Sequence, residues 1–475
     1  MSKLVFYELN EVPYRVLEAY CTRHPESHLA HLLEMGDRYE TYSEDEGVLS
    51  PWITWPTLHR GITNEKHLIS DFGQDLEELN NEYPVYTELL AGAGVKVGVF
   101  GSLHTYPLPK HPDSYSFFVP DTFANGSECH PQNLEPFQKF NLKMVDKSGR
   151  NVAGGLSGGD AISFMSKLPA LGVTVPTLMR LGEQVISEVS QPVRKVRRRT
   201  SQTQIAFDIF YKQLCKTMPD FSSFFTNHVA SSMHRYWPGL FPDDYTSTDF
   251  DKDWLDLYAG EIEFTLKTAD QQLGKLRRFV EKNRDYRLVV LSSMGQAAVD
   301  GVDIVRKQLL ITDRAKFMNY FGVDVGSWEI RRAMSPRFIF RVSSDSLFRQ
   351  AKSKIEQLQV NGEPVELTVH EHGVFVVKLG QQNLELDDIR ITDSGRDVTL
   401  AELGLENIEI QDATGSYAYH VPNGSFVVYN PNKRSASTGE MIDSISTIEI
   451  APSVLQNFGV PRNEYMDSSS AIMFN

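Results

Sequence analysis

"WLDLYAGEIEFTLKTADQQLGKLRRFVEKNRDYRLVVLSSMG", residues 254 to 295, is the stretch whose reading decides the fold. Residues 254 to 283 repeat apolar side chains at spacings of three and four, which predicts one long amphipathic helix. After Arg284 and Asp285 comes YRLVVL, a continuous apolar run of the kind seen in parallel strands covered on both faces. A helix that delivers the chain into such a strand is half of a βαβ unit. The same step recurs elsewhere. LVFYEL (4 to 9) reads as a strand followed by the helical VLEAYC (16 to 21). YPVYTELLAGAGVKVGVFGS (83 to 102) reads as helix, glycine stop at Gly92 and Gly94, then strand. TQIAFDIFYKQLCKTM (203 to 218) is a helix pattern that leads into the strand of DFSSFFTNHVA (220 to 230). Repeated strand–helix–strand order predicts an α/β protein: a doubly wound, mostly parallel sheet with helices on both faces.

Two segments interrupt the rhythm. Residues from about 105 to 200 are rich in Pro, Gly and Ser and read as an irregular excursion. Residues 336 to 395, with PRFIFRVSS, DSLFRQAKSKIEQL, VELTV and GVFVVKL, read as a small α+β insert. The expected division is a core over 1–335, the insert over 336–395, and a return to the core over 396–475.

A chain of 475 residues with 41% apolar and 23% charged residues can bury a large core. Its formal charge of -15 argues against nucleic acid, whose phosphates need a basic footprint. No run of eighteen apolar residues occurs, so no membrane span is expected. MSKLVFYELNEVPYRVL is too short and too polar in its apolar run for a signal peptide. Three scattered cysteines, Cys21, Cys129 and Cys215, make no disulfide framework and suggest a reducing, cytoplasmic setting. Asn125-Gly-Ser would be a glycosylation sequon only in a secreted chain. VRKVRRR (193 to 199) is the dense basic run, either a solvated flank or a strip for an anionic partner. AGGLSGGD (153 to 160) lacks the Gly-Lys-Ser ending of a phosphate loop and reads as a linker. His370 and His372 in HEHG would share a strand face, as a hairpin end or a ligand pair.

Sites in open α/β sheets lie beyond the carboxyl ends of the strands. The polar residues gathered there are Asn10, Glu11, Thr54, Asn227, His228 with His234 just after it, Ser292 to Gln296, and His420. Three histidines with an open fourth position make a catalytic zinc arrangement. His228 and His234 would share one crevice if a strand ended at the first and a helix began near the second. Thr54, in SPWITWPTLHRGIT (50 to 63), is either a hydrogen-bonded residue before Trp55-Pro56 or a nucleophile.

In order along the chain, several stretches resemble the alkaline phosphatase superfamily, in particular its type I phosphodiesterase and nucleotide pyrophosphatase branch. They are TWPTLHRGITNEKHLI (54 to 69), LLAGAGVKVGVFGSLHTYP (89 to 107), TNHVASSMHRYW (226 to 237), VVLSSMG (289 to 295), YHVPNGSFVVYNP (419 to 431) and IEIAPSVLQNFGVP (448 to 461). The resemblance implies two metal ions, commonly zinc, and a threonine that displaces an alcohol from phosphorus. It places Thr54 at the nucleophile and His67 at a structural position. The family's first metal-binding Asp falls on Asn10, with Glu8 or Glu11 as substitutes, and its Asp-His pair falls on Ser293 and Met294. Amide, hydroxyl and thioether are poor ligands for a divalent ion, so that metal site is expected to be missing. His234 and His420 match the other site, with His228 or Asn227 in place of its Asp and Gln296 a further candidate.

The reading that results is an enzyme acting on a phosphoester, phosphodiester or sulfate ester, by hydrolysis or group transfer. Thr54 reacts, activated by Glu11 or His228, or a metal-bound water acts directly, at a site where His228, His234 and His420 hold one zinc or other divalent transition ion. The substrate is a small anionic ester, and self-association into a homo-oligomer stays open. The alternative is an inactive member that binds anions or proteins.

Overall fold

The computed structural model describes residues 1 to 475 except 73, 148–157, 248–249, 334–335, 371–372, 411, 434–438, 471, 473 and 475. At its centre is an eight-stranded sheet. In spatial order its strands are Met441–Ser446, Asp37–Tyr42, Asn423–Tyr429, Tyr286–Leu291, Lys3–Leu9, Phe221–Thr226, Val97–Phe100 and Tyr115–Val119. Neighbours pair in parallel, except that Asn423–Tyr429 runs antiparallel to both of its partners. The expected doubly wound, mostly parallel α/β fold is the one observed.

Side-chain alternation along Lys3–Leu9 shows how the two faces are covered. Val5, Tyr7 and Leu9 join a core formed with the helices Arg198–Thr217, His228–Leu240 and Glu261–Lys282. Leu4 and Phe6 point the other way, into a core formed with Pro51–Arg60, Tyr86–Gly92 and Ile450–Asn457. A period of two thus feeds two cores from one strand. Among the described residues, no helix is long and apolar enough to cross a membrane, and Cys21, Cys129 and Cys215 are free thiols.

The helix expected over 254–283 is two helices, Lys252–Tyr258 and Glu261–Lys282, broken at Ala259 and Gly260. Gly260 takes the N-cap position of the second, where a poor helix former is no burden. The stretch from 105 to 200 contains the edge strand Tyr115–Val119 and the helices Glu135–Lys147 and Val175–Ser190. Gly154 and Gly155 lie outside the described residues. A separate apolar cluster runs from Leu309 to Leu405 and is built on two four-stranded antiparallel sheets. His370 ends the strand Glu366–His370, while His372 lies outside the described residues.

The basic run folds inward. Arg197 donates from Nε and Nη2 to the two carboxylate oxygens of Glu261 at 2.8 and 2.7 Å, and Arg194 Nη1 bonds the same group. Arg198 clasps Glu188 at 2.7 to 3.0 Å. Three of its cations are therefore committed within the fold.

Candidate metal centre

The strand Lys3–Leu9 delivers the chain into a turn at Asn10 and Glu11. Glu11 is held with φ at +60°, the left-handed region, which costs a non-glycine residue about 1 kcal/mol or more. That conformation sets the carboxylate beneath two histidines. His234 Nε2 stands 3.0 Å from Glu11 Oε2, and His420 Nε2 stands 3.4 Å from the same oxygen. The three ligand atoms lie within 4.8 Å of one another. Two ligands held ~2.0–2.1 Å from a tetrahedral ion are ~3.3 Å apart, so this spacing fits one shared ion.

The outer nitrogens strengthen that reading. His234 Nδ1 donates to the carbonyl of Ala418 at 2.6 Å, and His420 Nδ1 donates to the carbonyl of Leu49 at 2.7 Å. A proton fixed on each Nδ1 leaves each Nε2 lone pair pointing at the cluster, the arrangement of metal-ligating histidines. Without a cation, neutral rings would aim two lone pairs at a carboxylate. Burial alone would raise the Glu11 carboxyl, but His420 and His234 hold it well below its ordinary value. Burial likewise opposes the charge on His420, yet Glu11 outweighs it and raises the imidazole. The cluster is thus built around positive charge. Glu11 and the His420 side chain are 3% and 5% exposed, while the His234 side chain is 23% exposed and opens the cluster to solvent.

Neighbours lock the carboxylate. Asn10 Nδ2 donates to Glu11 Oε1 and to Asn227 Oδ1, both at 2.7 Å, and Asn10 Oδ1 accepts from Trp55 Nε1 at 2.7 Å. Gln296 Nε2 donates to Glu11 Oε2 and, at 3.2 Å, to the carbonyl of Ala230. Gln296 lies opposite His420 in a short antiparallel pair, Gly295–Ala298 with Ala418–Val421, and its Oε1 is buried without a partner. Asn10 and Gln296 therefore orient the Glu11 carboxylate. Replacing Asn10 by alanine is expected to weaken divalent-ion affinity by about 10- to 100-fold, the usual cost of losing such a support. Titration calorimetry with Zn²⁺ against the parent chain measures it, and equal affinities would remove Asn10 from the site.

His228 is a correction to the expected ligand set. The strand ends at Thr226, and a helix runs from His228 to Leu240. Six residues at 100° each leave His228 and His234 about 120° apart around that helix, so the two side chains leave it in different directions. His228 is buried, with Nδ1 bonded to Thr226 Oγ1 at 2.6 Å and Nε2 donating to the carbonyl of Thr265 at 3.1 Å. Burial pushes its pKa down to about 4. It is a neutral core histidine, and the side chain that faces His234 and His420 is Glu11 instead. Glu8 is also elsewhere: its Oε2 accepts from Ser102 Oγ at 2.6 Å, and His59 Nε2 lies 3.7 Å from Oε1. His67 packs against Thr57, 2.9 Å away, with its pKa lowered to about 3 by burial.

Thr54 is not at a strand end. It sits in the first turn of the helix Pro51–Arg60, is fully buried, and its Oγ1 lies 2.7 Å from Ser293 Oγ. Met294 beside Ser293 is equally buried. Ser50, beside the helix Pro51–Arg60, was not singled out in the sequence. It occupies the N-cap position of that helix, is buried, and its Oγ has no partner and makes no cap bond. Ser50 follows Leu49, whose carbonyl holds His420. The signal was present, since a serine directly before a proline is a common helix opening.

Fold and site together define a class: a mostly parallel α/β protein with a two-histidine, one-carboxylate cluster beyond the carboxyl ends of its strands. No family model and no curated protein sequence matches the chain. Among solved structures it is similar to murine ectonucleotide pyrophosphatase / phosphodiesterase 5, at 11% identity over 97% of this chain and 96% of that one, with a TM-score of 0.40. An inactive variant of the same murine protein in complex with AMP gives 11%, 98%, 96% and 0.40. The human counterpart gives 10%, 98%, 97% and 0.39.

Proposed function

We propose that this chain is a metal-dependent enzyme acting on a phosphoester, phosphodiester or sulfate ester, by hydrolysis or group transfer. The observation that carries the proposal is the pair of imidazole Nε2 atoms facing Glu11 Oε2 while both Nδ1 atoms are tied to carbonyls. Glu11, His234 and His420 would hold one divalent transition ion, zinc by preference for this nitrogen and oxygen set. Such an ion supplies Lewis-acid polarisation of a substrate oxygen or activation of a nucleophile. With one carboxylate and two neutral imidazoles the loaded site keeps a net positive charge, which draws an anionic ester to a protein of net charge -15.

The order of the sequence motifs supports the ester chemistry, and the helix Pro51–Arg60 supports its place. That helix begins two residues after Leu49, whose carbonyl holds His420, so its positive end and the Ser50 hydroxyl come next in the chain to that contact. The complete burial of Thr54 favours a second reading, in which the site binds anions without turning them over.

The test is metal content joined to turnover. The purified protein is expected to carry about one equivalent of zinc or a similar ion, to hydrolyse an aryl phosphate, phosphodiester or sulfate, and to lose both properties in His234→Ala. Zinc retained by His234→Ala would remove the ligand assignment. A loaded site silent on all three esters would favour the binding reading.

A further inference from the structure

The helices Val175–Ser190, Arg198–Thr217 and Glu261–Lys282 meet His28, the first residue of the helix His28–Met35, around an open cleft of about 170 Å³. Arg180, Gln204, Asp208, Gln271, Lys275 and Arg278 line it. None of its lining residues belongs to the cluster of Glu11, His234 and His420. Gly274 shapes one wall. A Cβ there would stand 2.0 Å from His28 Cδ2, so the missing side chain lets the imidazole seat directly on the helix.

Part of the lining is already committed. Asp208, 3% exposed, accepts from the Thr174 backbone N–H at 2.9 Å, from Thr174 Oγ1 at 2.7 Å and from Lys275 Nζ at 2.8 Å. Burial alone would raise its carboxyl, but Lys275 and the two threonines Thr177 and Thr174 hold it below the ordinary value, so it stays an anion. The rest is unspent. Among the described residues, the side chains of Arg180, Arg278, Gln204 and Gln271 make no hydrogen bond or ion pair. Lys275 and Arg278 lie three residues apart on one helix, a spacing at which like charges repel. Three cations against one carboxylate leave the cleft with two net positive charges, in a chain whose net charge is -15. Carboxylates to balance them are abundant in this sequence, yet Asp208 is the one acid in the lining.

We propose that this cleft is a second binding site, for a small phosphate monoester dianion that also carries hydroxyl groups. Two negative charges match the surplus, which a monocarboxylate would only half satisfy. Arg180 and Arg278 supply the forked donors that suit phosphate oxygens, and Lys275 adds a point charge. Gln204 and Gln271 can each donate and accept, as a hydroxyl requires. The cleft is smaller than the ~300–1,000 Å³ of pockets for larger organic ligands, so the molecule is a small one.

The test uses the full chain stripped of metal by a chelator, so that no ion at Glu11 can hold the anion. Calorimetric titration with glucose 6-phosphate is expected to show roughly micromolar binding that weakens as salt rises. Arg180→Ala and Arg278→Ala should each weaken it by about tenfold or more. Because neither arginine has a partner among the described residues, both variants should keep the parent's thermal midpoint, which loss of a structural contact would lower. Gln271→Ala should weaken glucose 6-phosphate and leave inorganic phosphate unchanged, and glucose alone should not bind. No binding of either anion, or unchanged affinity in both arginine variants, would overturn the proposal whatever the metal centre does in turnover assays. So would binding that appears only when zinc is restored, which would put the anion at the metal centre. Inorganic phosphate bound as tightly as the sugar phosphate, with Gln271→Ala silent, would overturn the assignment of a hydroxylated ester.

Discussion

Replacing Ser50 by alanine is expected to lower kcat on an aryl phosphoester about a thousandfold, equivalent to about 4 kcal/mol of transition-state stabilisation, while the bound metal stays in place. The reasoning starts from the cost of an idle hydroxyl. Ser50 Oγ is buried and unpartnered, and leaving such a group unmatched costs about 1–3 kcal/mol. A reacting or substrate-bonding hydroxyl explains that cost, because its partner arrives with the ligand. Its position agrees, for the helix end beneath it favours the negative charge that grows on phosphoryl oxygens. Thr54 presents the opposite picture: fully buried and already bonded to Ser293. Thr54→Ala should cost about 1–3 kcal/mol of stability by stranding the Ser293 hydroxyl, and should change kcat by less than about tenfold. Steady-state kinetics beside metal analysis and thermal melts separates the two roles. A silent Thr54→Ala beside an active Ser50→Ala would return the nucleophile to Thr54.

Removing Glu261 should have the largest effect on stability. Glu261 lies in the first turn of its helix, with a side chain 2% exposed, and receives both Arg194 and Arg197. Arg197 also lies over the ring of Phe264, 4.0 Å away. Breaking a buried ion pair from one side typically costs about 3–5 kcal/mol, because the remaining charge keeps its desolvation without its partner. Glu261→Ala is therefore expected to lower the urea midpoint by an amount equivalent to about 3–5 kcal/mol with the slope unchanged. Glu261→Gln, which keeps the shape and part of the hydrogen bonding, should lose less. A loss below about 1 kcal/mol in Glu261→Ala would mean that both arginines regain water freely.

Legibility differed between fold and site. YRLVVL and LVFYEL could be placed as central strands because burial on both faces demands unbroken apolar runs, and residue pattern alone reports it. His234 and His420 could be named because imidazoles near strand ends are few. Glu11 was named only as a substitute ligand for the other metal site and as a base, not as the partner of these two histidines. His228 was attractive by adjacency, but a helix beginning at residue 228 rather than near 234 rotates it away. Helix starts depend on capping and on what the first turn packs against, and a one-dimensional pattern records them poorly. The basic run 193–199 misled in a related way. Its charges looked available because the acids they meet, Glu188 and Glu261, lie elsewhere along the chain.

The sequence by itself determined the alternation that loads two cores from one sheet, the strand and helix order, and the residue types available beyond the strand ends. These follow from short-range periodicity and from the solubility of each side chain, so they survive without coordinates. Only the tertiary structure decided which carboxylate faces the histidine pair, since that rests on one left-handed turn at Glu11 and on the Leu49 and Ala418 carbonyls that accept from the two Nδ1 atoms. It also decided that Thr54 faces Ser293 while Ser50 stands unpartnered at the helix end. Bond direction and chain crossing settle such matters, and neither is written in the spacing of residues.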